Sequence, residues 1–168
     1  DHATEHLAQQ RHIAHRQGRS DEARDLYRRV LRQEPDNAVA RAGLLALLAE
    51  SEPENAGGMA RDLSESHPRS AAALATLGSI MAREGRLGDA QQAFFKAAAL
   101  EPENALYAYN LAVALDRLHK PEQAASYYER AVFLADKAGA PNSIPRDSAV
   151  QRSAQLRGRG REERPAAQ

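Results

Sequence analysis

Leu44, Leu45 and Leu48, Leu74, Leu77 and Met81, and Leu111 and Leu115 recur at three- and four-residue steps along the chain. That spacing places side chains on one face of a helix. Helix-starting and helix-breaking residues divide the pattern into helices at approximately 4–17, 20–33, 38–50, 54–66, 71–84, 87–99, 105–118 and 121–136. Ser20, Asn37, Ser70 and Asn104 are placed to cap four of them, because a short polar side chain accepts from the unpaired amides of a first turn. Pro53 and Pro121 fall where helices open, a position at which a missing N–H costs nothing. Gly139-Ala140-Pro141-Asn142 breaks the pattern. Residues 146–157 then predict one more helix, with Ala149, Val150, Ser153 and Leu156 turned to the preceding hairpin. Residues 158–168 read as a disordered Arg-rich tail.

The helices repeat. Glu34-Pro35-Asp36-Asn37 and Glu101-Pro102-Glu103-Asn104 set the frame, with Pro68 between them, so the prolines step by 33 and 34 residues. Within residues 71–104 the order is Leu74, Leu77-Gly78, Met81, Gly85, Ala90, Phe94, Ala97 and Pro102. Residues 105–138 repeat it with Leu111-Ala112, Leu115, Ala124, Tyr128 and Ala131, and Asp136 stands where the proline would be. Residues 4–37 give Leu7, Gly18, Ala23, Tyr27, Val30 and Pro35, with Arg11 in place of a small residue. Residues 38–70 are degenerate. Their second helix fits only when counted back from Pro68, one residue is missing from the internal turn, and Gly57-Gly58 falls inside the helix.

A period near 34 with these residues resembles the tetratricopeptide-repeat (TPR) family. The resemblance implies an all-α, right-handed solenoid of four helical hairpins (4–37, 38–70, 71–104 and 105–138, the second degenerate), with 139–157 as linker and capping helix. A single hairpin cannot bury its apolar face, so neighbours stack. The family pattern also implies a concave face built by the first helix of each hairpin. There it points Glu5, Ala8, Gln9, His12, His15 and Arg16 inward in repeat one, Val39, Ala42, Gly43, Ala46, Ala49 and Glu50 in repeat two, Ala72, Ala75, Thr76, Ser79, Ala82 and Arg83 in repeat three, and Leu106, Tyr109, Asn110, Val113, Asp116 and Arg117 in repeat four. By this resemblance the function is protein binding, with a partner peptide or helix held by Thr76, Ser79, Arg83, Tyr109, Asn110, Val113 and Arg117. An Asn at the site of Asn110 often bonds a bound main chain in such proteins, since an amide both donates and accepts. Tyr109 adds flat amphipathic contact area of the kind that dominates interfaces. No Lys lies among these positions, which departs from the chaperone-tail clamp of some relatives. For a bacterial chain of this size, the resemblance implies a place in pilus, secretion or envelope assembly.

Composition narrows the alternatives. Lys plus Arg number 23 and Asp plus Glu number 23, so no net field favours nucleic acid over the whole chain. An Arg-rich C-terminal stretch, with Arg-Gly-Arg-Gly-Arg at 157–161, is the basis of a rival reading as a nucleic-acid-associated protein. Self-assembly through the repeats is a further alternative. No apolar run is long enough to span a membrane. The absence of cysteine excludes disulfides and thiolate chemistry, and leaves cytoplasm and periplasm equally open. A start at Asp1 without a signal-like stretch reads as a trimmed fragment, and abundant Ala and Arg with few Lys suggest a GC-rich bacterial source. His2, Glu5, His6, His12 and His15 share one helix, but a polar helix accounts for them better than a metal site. No HExxH, P-loop, GxSxG or dinucleotide fingerprint is present, so neither catalytic residues nor a cofactor is expected. Phe94, Phe95, Tyr107, Tyr109, Tyr127, Tyr128 and Phe133 all follow residue 93, which predicts that repeats three and four are the stable half. Phe95 and Tyr127 are candidates for a second, convex contact surface.

Overall fold

The computed structural model describes residues 19–162. The first predicted helix, with its histidines, lies outside them. Among the described residues the chain is all helix: α1 (Ser20–Gln33), α2 (Ala38–Ser51), α3 (Pro53–Ser66), α4 (Ala71–Arg83), α5 (Leu87–Leu100), α6 (Ala105–Arg117), α7 (Pro121–Lys137) and α8 (Arg146–Glu162), with a 3-10 turn at Pro141–Ser143. Two compact units divide within α4, the first ending at Ile80 and the second beginning at Met81.

The local signals act largely as the sequence indicates. Asn37 Oδ1 accepts from the Ala40 amide at 2.9 Å, Asn104 Oδ1 from Tyr107 at 3.2 Å and Ser70 Oγ from Ala73 at 3.2 Å. Ser20 does not cap; α1 already includes it, and Arg19 precedes the helix without a side-chain cap. At each Glu-Pro-x-Asn-like corner the same backbone bond closes the turn, Asn37 to Glu34, Ser70 to His67 and Asn104 to Glu101.

The other corners close by a different device. Arg86 donates to the Met81 carbonyl, Lys120 to Leu115 and Ala140 to Ala135, each after a residue in the left-handed region. That residue is Gly85 (φ 78°), His119 (φ 59°) and Gly139 (φ 66°). The conformation costs an L side chain about 1 kcal/mol and costs glycine nothing. His119→Gly is therefore expected to raise stability slightly, by under about 1 kcal/mol once the larger chain entropy of glycine is subtracted, read as a higher urea midpoint.

In the first unit α1 packs on α2 and α2 on α3. Ala23, Tyr27, Val30, Ala40 and Leu47 form a buried cluster, with Leu26, Leu31 and Leu44 against it. Tyr27 lies where only Gly43 leaves room: a Cβ on residue 43 would overlap the ring. This corrects the expectation that Gly43 faces a ligand groove; its missing side chain serves the core. Ala42, Ala49 and Ala75 are also buried rather than presented, because a methyl group is too short to emerge between longer neighbours. Glu52 alone joins α2 to α3, and Pro53 opens α3 as its first residue.

In the second unit α6 packs on α5 and α7, and α8 packs on α7. α8 runs to Glu162, five residues past the expected end, and so takes in residues 158–162 from the stretch read as tail. Its core face is thin, consisting of Ala149, Ser153 and Leu156. Three arginines supply the rest of its attachment. Arg146 reaches Asp136 with bonds of 2.8 and 2.9 Å, Arg152 reaches Asp116 at 2.7 and 2.8 Å, and Arg157 reaches Glu129 at 3.0 and 3.2 Å. Once a helix is nucleated and docked, each further residue adds a backbone bond, which offsets about 1 kcal/mol for a helical glycine.

Candidate functional site

α6 shows one accessible stripe on an otherwise buried helix. Ala105, Tyr107, Ala108, Leu111, Ala112, Ala114 and Leu115 are buried. Leu106, Tyr109, Asn110, Val113 and Asp116 are part-exposed and Arg117 is exposed. Their spacing follows the helical repeat, so the six side chains lie on one face. They are the six positions that the repeat pattern points inward for the fourth hairpin.

The stripe is chemically graded. Leu106 and Val113 are apolar. The Tyr109 ring leans on that of Tyr128, centroids 5.8 Å apart at 60°. Tilted aromatic pairs of this kind hold a ring in one orientation. Burial pushes the Tyr109 hydroxyl pKa upward, so it remains a neutral donor and acceptor. Among the described residues the Asn110 amide and the Arg117 guanidinium have no hydrogen-bond or ion-pair partner within the chain. Each can therefore engage an incoming main chain or carboxylate without first breaking an internal bond.

Asp116 closes the stripe at its far end. It accepts from Arg152 Nε at 2.7 Å, from Arg152 Nη2 at 2.8 Å and from the Tyr128 hydroxyl at 3.0 Å. Arg152 holds the Asp116 carboxyl below the usual carboxylate range, partly against burial, and Tyr128 adds to the lowering. Burial and the adjacent carboxylate push the Tyr128 hydroxyl well above its ordinary value, and Tyr107 is pushed up mainly by burial. In an alkaline titration read at 295 nm, these two rings are expected to stay un-ionised until the fold is lost. A free-phenol profile for the Tyr107→Phe difference spectrum would contradict the buried setting.

The other candidates are placed as follows. Thr76, part-buried on α4, directs Oγ1 to the Ala42 carbonyl at 3.5 Å. Ser79 is exposed one turn on, and Arg83 is exposed near the helix end. Thr76 and Ser79 belong to the first unit and Arg83, Tyr109, Asn110, Val113 and Arg117 to the second. Asp116, Tyr128 and Arg152 were not singled out from the sequence as a constellation. Asp116 carried a signal, since it falls on the inward stripe, but nothing in the spacing paired it with an arginine 36 residues away. Among the described residues no three His, Cys, Asp or Glu side chains converge to hold a metal ion. None of the described helices is long and apolar enough to cross a membrane.

Residues 7–39 match the family model for the tetratricopeptide repeat. The fold is that of a tetratricopeptide-repeat protein. The chain is similar to the solved structure of Pseudomonas aeruginosa PilF at 26% identity, covering 96% of this chain and 71% of that one, with a TM-score of 0.68. It is similar to TTC0263, a thermophilic TPR protein of Thermus thermophilus, at 18% identity over 95% of this chain and 93% of that one, with a TM-score of 0.64. YrrB, described as a TPR protein with an unusual peptide-binding site, shares 22% identity over 73% of this chain and 63% of its own, with a TM-score of 0.54. The sequence has no match among curated proteins.

Proposed function

We propose that this chain is a protein-interaction scaffold whose second unit binds an extended or helical segment of a partner along the α6 stripe. The observation that carries the reading is the pairing of accessible Leu106, Tyr109 and Val113 with an unengaged amide at Asn110 and an unengaged guanidinium at Arg117. Apolar side chains supply area, the amide supplies main-chain bonds, and the guanidinium favours a carboxylate in the partner. On α4, Thr76 and Ser79 of the first unit and Arg83 of the second are proposed as further partner contacts, each within its own unit. A finer reading places the partner in pilus, secretion or envelope assembly, and the likeness to PilF supports it. The C-terminal arginines argue for nucleic acid less than their number suggests, because Arg146, Arg152 and Arg157 are each engaged with a carboxylate.

The test is a crosslinking pulldown from lysate of the source organism, comparing wild type with Asn110→Ala/Arg117→Ala. Neither side chain supports the fold, so circular dichroism is expected to be unchanged. A captured partner is expected to be retained about tenfold less well, corresponding to about 1.4 kcal/mol. Equal retention by both proteins would move the working surface away from α6.

A further inference from the structure

The first unit carries a surface that the α6 reading does not use. α2 is apolar almost all round; between Ala38 and Leu48 its only charge is Arg41. A helix of that composition is normally covered on every side. Here Ala40, Ala42, Leu45, Leu47 and Ala49 are buried, but Leu44 and Leu48 stay part-exposed, one turn apart on the same face. They form the floor of an open groove of about 680 Å³ between α1 and α3. Leu31 extends the floor on the α1 side, and Met59, 47% exposed, forms the α3 wall.

The groove's charge is one-sided. Arg24, Arg28 and Arg41 line it, against a single carboxylate, Asp62. Arg24 and Arg41 are tethered by Asp21 at 3.4 Å and Asp36 at 3.0 Å, pairs that hold the guanidinium groups beside the groove at little energetic cost to break. Arg28 has no ion pair among the described residues. The α2 lining runs from Arg41 to Ser51, about 15 Å at 1.5 Å per residue. That length matches two to three turns of a docked helix presenting anchors at i, i+3 or i+4, and i+7.

We propose that this groove docks an amphipathic helix of a partner protein, with leucine-type side chains on Leu44, Leu48 and Met59 and carboxylates facing Arg24, Arg28 and Arg41. The apolar floor supplies affinity and the arginines select sign. Methionine at the wall suits such a role because its flexible thioether adapts to differently shaped anchors.

The whole chain would be titrated into two fluorescein-labelled helical peptides, one of leucine and glutamate with leucines at i, i+3, i+4 and i+7, the other its twin with lysine for every glutamate. Saturable anisotropy is expected for the acidic peptide, with the lysine twin binding at least tenfold more weakly. Arg28→Gln and Met59→Gln, both at exposed positions, are each expected to weaken the acidic peptide at least fivefold with unchanged thermal melting. A loss in Asn110→Ala alongside wild-type affinity in both groove variants would seat the peptide on the α6 stripe and overturn the proposal. Equal binding of the twins, or wild-type affinity in both groove variants, overturns the proposal. So does sedimentation showing a dimer that Met59→Gln dissociates, since the occupant would then be a second copy of this chain.

Discussion

Asp116→Ala is expected to lower stability by about 3 kcal/mol, read as a reduced urea midpoint followed at 222 nm. The substitution deletes an acceptor that serves Arg152 twice and Tyr128 once. The Asp116 side chain is only 16% exposed, so solvent replaces little of what is lost, while Arg152 at 34% recovers part of its hydration. The larger share of the cost therefore falls on the hydroxyl of Tyr128, a residue only 5% exposed. Asp116→Asn is expected to cost about half as much, because an amide oxygen can still accept from Tyr128 but carries no charge for Arg152. If Asp116→Ala and Arg152→Ala prove additive in a double-mutant cycle, the pair contributes nothing as a pair. The same contact predicts a pH response. The folded carboxyl holds its proton less firmly than the unfolded one, so its stabilisation is complete above the unfolded pKa of about 4 and is lost as pH falls through the lower folded value. Asp136, lowered by Arg146, acts in the same direction. Wild type should therefore lose more stability than Asp116→Ala between pH 5 and pH 2, and α8 should be the first helix to gain amide exchange.

The same pair shows where a sequence stops being informative. Helix positions were legible because each is fixed locally: a capping Asn, a proline that cannot sit mid-helix, a run of apolar residues at helical spacing. The accessible stripe of α6 was legible for a similar reason, since repeat geometry assigns each position a direction before any contact is known. The extent of α8 was not. Two glycines among Arg157, Arg159 and Arg161 have poor helix propensity, and only docking on α7, with Arg157 on Glu129, makes the helical state favourable there. Which acid meets Arg152 is likewise a long-range fact, settled when α8 packs and not before. Gly43 was misread for the opposite reason. The repeat register points it inward, but a residue without a side chain is defined by what approaches it, and that is Tyr27.

Gly43→Ala and Gly58→Ala make the same chemical change in neighbouring helices and are expected to shift stability in opposite directions. In an isolated helix each would gain up to about 1 kcal/mol, because alanine loses less backbone entropy than glycine. At Gly58 nothing lies within 4 Å of the added methyl, so that gain should appear nearly whole. At Gly43 the methyl would overlap three atoms of the Tyr27 ring. The ring has little freedom to withdraw, since Tyr27 is 3% exposed and packs among Ala23, Val30, Ala40 and Leu47. Overpacking of this severity costs about 3 kcal/mol, which outweighs the helix gain and leaves a net loss of about 2 kcal/mol. Chemical denaturation of the two single variants measures both signs. Tyr27→Leu/Gly43→Ala distinguishes the cause: if the ring is the obstacle, replacing it with a smaller apolar side chain makes Gly43→Ala neutral or favourable in that background, although Tyr27→Leu alone loses core area. A Gly43→Ala loss that persists without the ring would place the strain in the backbone of α2. The degenerate second repeat would then owe its glycine to the helix itself rather than to the aromatic that the first repeat inserts beside it.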